Sequence, residues 1–131
     1  LEETQSQFKE LVTLDLSKGP LVQVIGDITQ KTEFDSESFD SIICTEVLEH
    51  TSNPFKAVEE MHRILKPGGE IYGSTPLNFR IHNPQPDNWR FTESGLKELF
   101  KEFENIFITP HESYVWLFPY HYTWVAFKKE R

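Results

Sequence analysis

An open α/β fold is predicted for this 131-residue sequence: a mostly parallel sheet with helices packed on it and an antiparallel hairpin at its end. Three stretches predict it. Between Phe39 and Gly69 a short apolar run, a polar turn, an amphipathic helix and a glycine stop follow one another. That is half of a βαβ unit with its loop at the carboxyl end of the strand, where open α/β sheets place their ligands. Ahead of it, Leu11 to Asp15 and Leu21 to Ile25 are short β-branched runs, each closed by turn residues. Behind it, Asn105 to Thr109 and Tyr122 to Phe127 read as two closing antiparallel strands.

In chain order, Leu1 to Glu10 is polar, with Phe8 and the following Leu11 as its main anchors, and reads as the end of a helix. The strand that follows ends in the carboxylate of Asp15, and Ser17-Lys18-Gly19-Pro20 is turn chemistry. The next strand runs into Gly26-Asp27-Ile28, and Lys31 to Ser38 is a polar connection. Phe39, Ile42, Ile43 and Cys44 form a strand apolar on both faces, as expected inside a covered sheet. Asn53-Pro54 supplies an N-cap residue and a proline at the first helical position, where its missing N–H costs nothing. Val58, Met61, Ile64 and Leu65 recur at helical spacing as one buried stripe, and Lys66-Pro67-Gly68-Gly69 is expected to end the helix.

Glu70 to Thr75 is a further strand, stopped by Pro76. Leu77 to Asn88 carries three prolines and little periodicity, so it reads as a long surface loop of the kind that is often functional. Thr92 caps a helix with Leu96, Leu99, Phe100 and Phe103 on one face. Tyr114, Trp116, Phe118, Tyr120, Tyr122 and Trp124 fall at every second position, and Pro119 interrupts them. Their alternation fits either core packing between sheet and helix or an aromatic acceptor pocket.

Composition narrows the function. The length suits one domain, residues 1–131. No apolar run is long enough to cross a membrane, and LEETQSQF lacks the basic-then-apolar order of a signal peptide. The single cysteine, Cys44, rules out an intrachain disulfide and fits a reducing cytoplasm. A formal net charge of −8 argues against nucleic acid and anionic membranes as partners, which leaves a small molecule.

Glu46, Glu49 and His50 lie at i, i+3 and i+4, so one helical turn after the strand would bring them to one face. Two carboxylates and an imidazole can ligate a divalent cation. His50 can equally take a proton from an acceptor hydroxyl, or simply cap a helix in solvent. No activating base is assignable to Cys44, which reads as a buried strand residue, and His62 and Arg63 read as surface positions.

The segments Cys44 to His50, Arg63 to Gly69 and His82 to Leu96 resemble the class I S-adenosylmethionine-dependent methyltransferases, in particular the group that includes the ubiquinone-pathway O-methyltransferases. The resemblance implies a Rossmann-like sheet and S-adenosylmethionine as cofactor. It puts Asp15 on the ribose hydroxyls, Asp27 beside the adenine amino group, Ile28 on the adenine ring, and Thr45 and Glu46 along the cofactor. It lays His82, Asp87, Trp89 and Arg90 over the acceptor, and the ubiquinone-pathway enzymes use a metal near the Glu46 to His50 motif; on residue chemistry His50 and Glu49 are the catalytic candidates, with no resident metal assigned. On residue chemistry alone Asp15 and Asp27 can also be turn residues.

The family's glycine-rich Gly-x-Gly loop does not precede Asp15, and with it the first strand is missing from the expected sheet. In the family that strand separates the second from the fourth, so its absence is expected to leave open edges. Unless those two strands pair directly, a homodimer or strand-swapped assembly follows. The implied activity is methyl transfer to a small-molecule acceptor, at a hydroxyl. The competing readings are a catalytically inactive methyltransferase-like binding or subunit protein, and a fragment of an active enzyme.

Overall fold

The structure, a computed structural model, describes residues 9–111 and 118–131. The helix end expected within Leu1 to Glu10 therefore falls largely outside the described residues, as do Tyr114 and Trp116. Six strands and two helices follow in order: β1 (Leu14–Asp15), β2 (Val24–Ile25), β3 (Phe39–Thr45), α1 (Pro54–Ile64), β4 (Leu65–Pro76), α2 (Glu93–Leu99), β5 (Asn105–His111) and β6 (His121–Phe127). A single 3-10 turn, Leu48–His50, lies between β3 and α1.

The main sheet has the order β3-β4-β6-β5. β3 and β4 are parallel, with Cys44 beside Gly73 and Thr45 beside Ser74. β6 runs antiparallel to both β4 and β5. The parallel part and the antiparallel hairpin are those of the expected α/β methyltransferase sheet. β1 and β2 pair with each other in parallel as a separate two-stranded sheet. Among the described residues no strand pairs with β3 on the side away from β4, and β1 is not joined to β3. The break falls where the resemblance puts a strand that this sequence does not show.

The period of two decides which face is buried. Ile71, Gly73 and Thr75 of β4, Tyr122, Trp124 and Ala126 of β6 and Cys44 of β3 turn inward. Against them pack Ala57, Val58 and Met61 of α1, Leu96 and Leu99 of α2, and Phe100 and Phe103 just beyond it. Each large side chain removed from water here stabilises the fold by roughly 1.5–3 kcal/mol. Gly73 has no substitute in this layer, because a Cβ there would run into the Trp124 ring and lie 2.6 Å from the Cys44 carbonyl oxygen. The opposite face is open: Ile43, Tyr72 and Phe107 are exposed, and register aligns them with Val125 in one row across all four strands.

The ends of the helices are mostly local. Asn53 accepts a hydrogen bond from the Lys56 backbone N–H at 3.2 Å, and Thr92 accepts from Gly95 N–H at 3.0 Å. The carboxyl end of α1 differs from the expectation. The helix stops at Ile64, and Leu65 is already extended (φ −80°, ψ 135°), so Lys66 to Gly69 belong to β4. The residue before a proline is driven out of the helical region, which moves the stop upstream of Pro67. Gly68 does take a left-handed conformation, φ 78°, but inside the strand. The carbonyls at this end are satisfied by other segments: Glu37 and Ser38 N–H donate to Arg63 O and Ile64 O at 2.9 and 2.8 Å, and the Lys128 ammonium donates to His62 O at 2.7 Å and to Leu65 O at 2.8 Å.

His62 and Arg63 are not the surface residues expected. The His62 ring meets Phe103 edge-on at 5.0 Å. Arg63 binds both oxygens of Glu60, at 2.6 and 2.9 Å, and reaches Phe34 O and the Ser36 hydroxyl. Glu60 in turn accepts from the N–H and hydroxyl of Thr32. This network fastens the connection 31–38 to α1. The aromatic alternation also divides: Tyr122 and Trp124 are buried in the core, whereas Phe118 and Tyr120 are exposed, because regular strand geometry begins only after Pro119.

Candidate active site

The polar turn after β3 does not continue as one helical face. Glu46 takes a left-handed conformation, φ 52°, a strained state for a residue with a side chain and one that clusters at functional sites. Its carboxylate is thereby turned away from the 3-10 turn and lies 2.7 Å from His121 Nε2 of β6, with the Ser74 hydroxyl at 3.4 Å. Glu49 goes the other way, into the interior, where it is fully buried. Neither of its carboxylate oxygens has a hydrogen-bond partner, and His50 Nε2 is 3.8 Å from the nearer one. Burial, reinforced by Glu46 and Asp87, pushes the Glu49 carboxyl up to about 7.

His50 Nδ1 lies 3.0 Å from the carbonyl oxygen of Pro86. A carbonyl only accepts, so the proton of the neutral ring sits on Nδ1 and the Nε2 lone pair is vacant. His82 stacks edge-on against His50, ring centroids 4.9 Å apart. Glu49, His50 and His82 each offer one ligand atom, all within 4.8 Å of one another, and are the one group of this kind among the described residues. A carboxylate with two imidazoles is a donor set that could hold a divalent cation. His82 thus takes the place that the sequence spacing gave to Glu46.

Asp87, Trp89 and Arg90 act on the loop rather than in a cavity. Arg90 grips Asp87 through two bonds, 2.6 and 2.9 Å, and donates to Phe79 O and Arg80 O. Asp87 also accepts from His82 N–H at 3.0 Å. The Arg90 guanidinium holds the Asp87 carboxyl well below the usual carboxylate range. Trp89 Nε1 donates to Thr51 O at 2.8 Å. These bonds fix the loop from Phe79 to Arg90 over the turn after β3.

Between the loop and the sheet lies a cavity of about 530 Å³, lined by Glu46, His50, Phe79, Arg80, His82, Asn83, Pro84 and His121. Of the four residues the sequence placed over the acceptor, only His82 lines it. His121 is the main omission of the sequence reading. Its signal was present but weak: if Tyr122 and Trp124 point inward, His121 must sit on the other face of β6, next to the end of β3.

The remaining candidates close strand ends. Asp15 is exposed at the end of β1 and accepts from Ser17 N–H at 3.3 Å. The Asp27 carboxylate, just after β2, accepts from the N–H and hydroxyl of Thr29 at 2.8 and 2.7 Å, which is the turn geometry that residue chemistry allowed. Ile28 packs against the core, and Thr45 is exposed at the end of β3. Cys44 is buried, and burial followed by the Glu49 charge pushes its thiol up to about 12, so it is inert as a nucleophile.

The sequence profile of the methyltransferase-domain family matches residues 2–73. The chain belongs to the class I S-adenosylmethionine-dependent methyltransferases. This methyltransferase chain is 28% identical to the ubiquinone biosynthesis O-methyltransferase of Aliivibrio fischeri strain MJ11, over 85% of its own length and 53% of the relative's. A Hahella chejuensis enzyme of the same name is 31% identical over 69% of the chain and 38% of the relative. The methyltransferase chain thus spans about half the length of the curated relatives it matches. Among solved structures, an N-methyltransferase of Haemonchus contortus in complex with phosphomonomethylethanolamine and S-adenosylhomocysteine superposes with a TM-score of 0.75. The match has 14% identity and covers 99% of this chain and 46% of that one. A SAM-dependent methyltransferase of Thermotoga maritima gives 0.67 at 19% identity, covering 83% and 65%. At these identities the structures establish the shared methyltransferase fold.

Proposed function

We propose that this methyltransferase chain moves the methyl group of S-adenosylmethionine to the hydroxyl of a small acceptor bound in the cavity beneath the Phe79 to Arg90 loop. The observation that carries the reading is the pairing at its wall. His50, with a vacant Nε2 set by the Nδ1 bond to Pro86, stands against a buried carboxyl that has no other partner. Bound S-adenosylmethionine would supply the electrophilic sulfonium methyl.

The residues that would hold the cofactor are Asp15 on the ribose, Asp27 and Ile28 at the adenine, and Thr45 with Glu46 at the strand end. Asp15 suits this work as an exposed carboxylate with one weak internal bond. Asp27 keeps one carboxylate oxygen outside its bonds to Thr29, and an exocyclic amine can donate to that oxygen. On the acceptor side, the His50–Glu49 pair is the base for the hydroxyl proton as the oxygen attacks; Nε2 and the carboxyl are both buried in this structure, so acceptor binding has to open a path to one of them. Alignment of donor and acceptor does most of the rate acceleration in such a displacement, so the loop anchored by Asp87, Trp89 and Arg90 is the positioning element.

Calorimetric titration with S-adenosylhomocysteine tests the cofactor half. Micromolar binding weakened at least tenfold by Asp15→Ala is expected. A folded sample giving no heat at millimolar ligand would overturn the reading.

A further inference from the structure

The lining of the cavity says more about its occupant than that it is small. The chain is acidic overall, with a formal net charge of −8, yet only one carboxylate, Glu46, lines this cavity. Glu46 is occupied by His121 at 2.7 Å. Asp87, behind His82, is held by Arg90. Glu49 lies beneath, fully buried, and is not part of the lining. What remains is the guanidinium of Arg80, the amide of Asn83 and the imidazoles of His50 and His82.

Arg80 is exposed and takes part in no ion pair or side-chain hydrogen bond among the described residues. Its Cζ lies 5.5 Å from the centre of the Phe79 ring, which orients the planar fork without using its N–H donors. The backbone beneath it is fixed, because Arg80 O accepts from Arg90 at 3.0 Å. A guanidinium on a rigid loop, set on an aromatic ring with its donors unspent, matches the geometry of a carboxylate or a phosphate.

We propose that the cavity takes an acceptor that carries a carboxylate or phosphate group besides its methylated atom, and that Arg80 binds that group. The inference rests on the cavity being the acceptor site, as in the function proposed above. Phe79 and Pro84 offer the apolar contact for the body of such a molecule, and His50 stands at the other end of the same lining. Arg80 is then a specificity-determining residue: it distinguishes anionic acceptors from neutral ones of the same shape and takes no part in the proton transfer.

The test uses three probes of one size, namely benzoate, phenyl phosphate and the neutral benzamide. Each is titrated into isotope-labelled protein, and the ring signals of His50, His82 and His121 are followed by NMR, with and without S-adenosylhomocysteine. At least one anion is expected to bind ten times more tightly than benzamide to the wild type, and which anion wins separates carboxylate from phosphate. Arg80→Gln is expected to bring charged and neutral probes within twofold of each other. The same change at the exposed Lys18 should leave the preference intact. Equal affinity for charged and neutral probes in the wild type would overturn the proposal. So would a preference that survives Arg80→Gln, or a folded wild type that binds none of the three. Failure of S-adenosylhomocysteine to bind in calorimetry would remove the methyl-transfer reading alone, since the anion titrations are read independently of it.

Discussion

Replacing Glu49 with glutamine tests the electrostatics of the site without changing its volume. The carboxyl is fully buried, neither oxygen has a hydrogen-bond partner, and its pKa rises from 4.5 to about 7 in the folded protein. Between those two values the folded state holds a proton that the unfolded state has released, so stability falls as pH rises through this window. At about 1.4 kcal/mol per pH unit, the interval amounts to about 3 kcal/mol. That penalty is absent below about pH 4, where both states are protonated, and is fully present above about pH 7. Glu49→Gln cannot ionise and should lack this fall.

Urea denaturation of both proteins, from about pH 4 to about pH 8, measures the difference directly. Asp87 and Glu60 have depressed carboxyls whose stabilisation is lost in acid, but they titrate in both proteins and cancel. The variant should gain about 3 kcal/mol on the wild type between acid and mildly basic pH. A difference that stays constant across the range would refute the reasoning. A variant that loses ground at high pH would show that His50 already holds Glu49 as a carboxylate.

Gly73→Ala drives a methyl group into the Trp124 ring and should cost on the order of 1–3 kcal/mol or more, visible as a lowered thermal midpoint in tryptophan fluorescence. An unchanged midpoint would mean that the β4–β6 layer yields easily. Asp87→Asn leaves the partly exposed Arg90 guanidinium without its carboxylate and should destabilise by about 1.5–3 kcal/mol. Amide hydrogen exchange is expected to accelerate from Phe79 to Arg90, and protection equal to the wild type there would sink the clamp. Among the described residues β3 has no partner on its outer side, and that edge with the exposed row on its sheet favours association. Sedimentation should give a dimer, which Ile43→Lys returns to monomers; a wild-type monomer at every concentration would end that expectation.

What could be read from the chain was what its neighbours in sequence decide. Asn53 caps the helix three residues ahead of its donor, and Thr92 does the same, so both starts were visible as local chemistry. The alternation of Tyr122, Trp124 and Ala126 announced a half-buried strand. The carboxyl end of α1 was misplaced because the influence of Pro67 on Lys66 acts before Gly68 can serve as a stop. In the candidate site, Glu49 and His50 stand together as their adjacency in sequence requires. The partner of Glu46 was not legible, since His121 arrives from the far end of the sheet and the left-handed turn at Glu46 has no mark in residue type. The clamp made by Arg90 was not legible, because it depends on where Asp87, Phe79 O and Arg80 O end up in space.

The lysine that finishes α1 has a consequence for the order of folding. Lys128 follows β6, which among the described residues is the one strand that pairs with β5. A nascent chain that has emerged as far as His111 can form the parallel β3–β4 pair and the bonds from Glu37 and Ser38 to the end of α1, but it lacks the Lys128 contacts and the β6 partner of β5. β5 therefore joins the sheet only once β6 is available, and the Lys128 contacts with the end of α1 form at that late stage as well. Pairings across so much sequence make for slow folding. They also couple the last few residues to the integrity of the middle of the chain, so removing residues 128–131 should loosen the end of a helix that stops at Ile64.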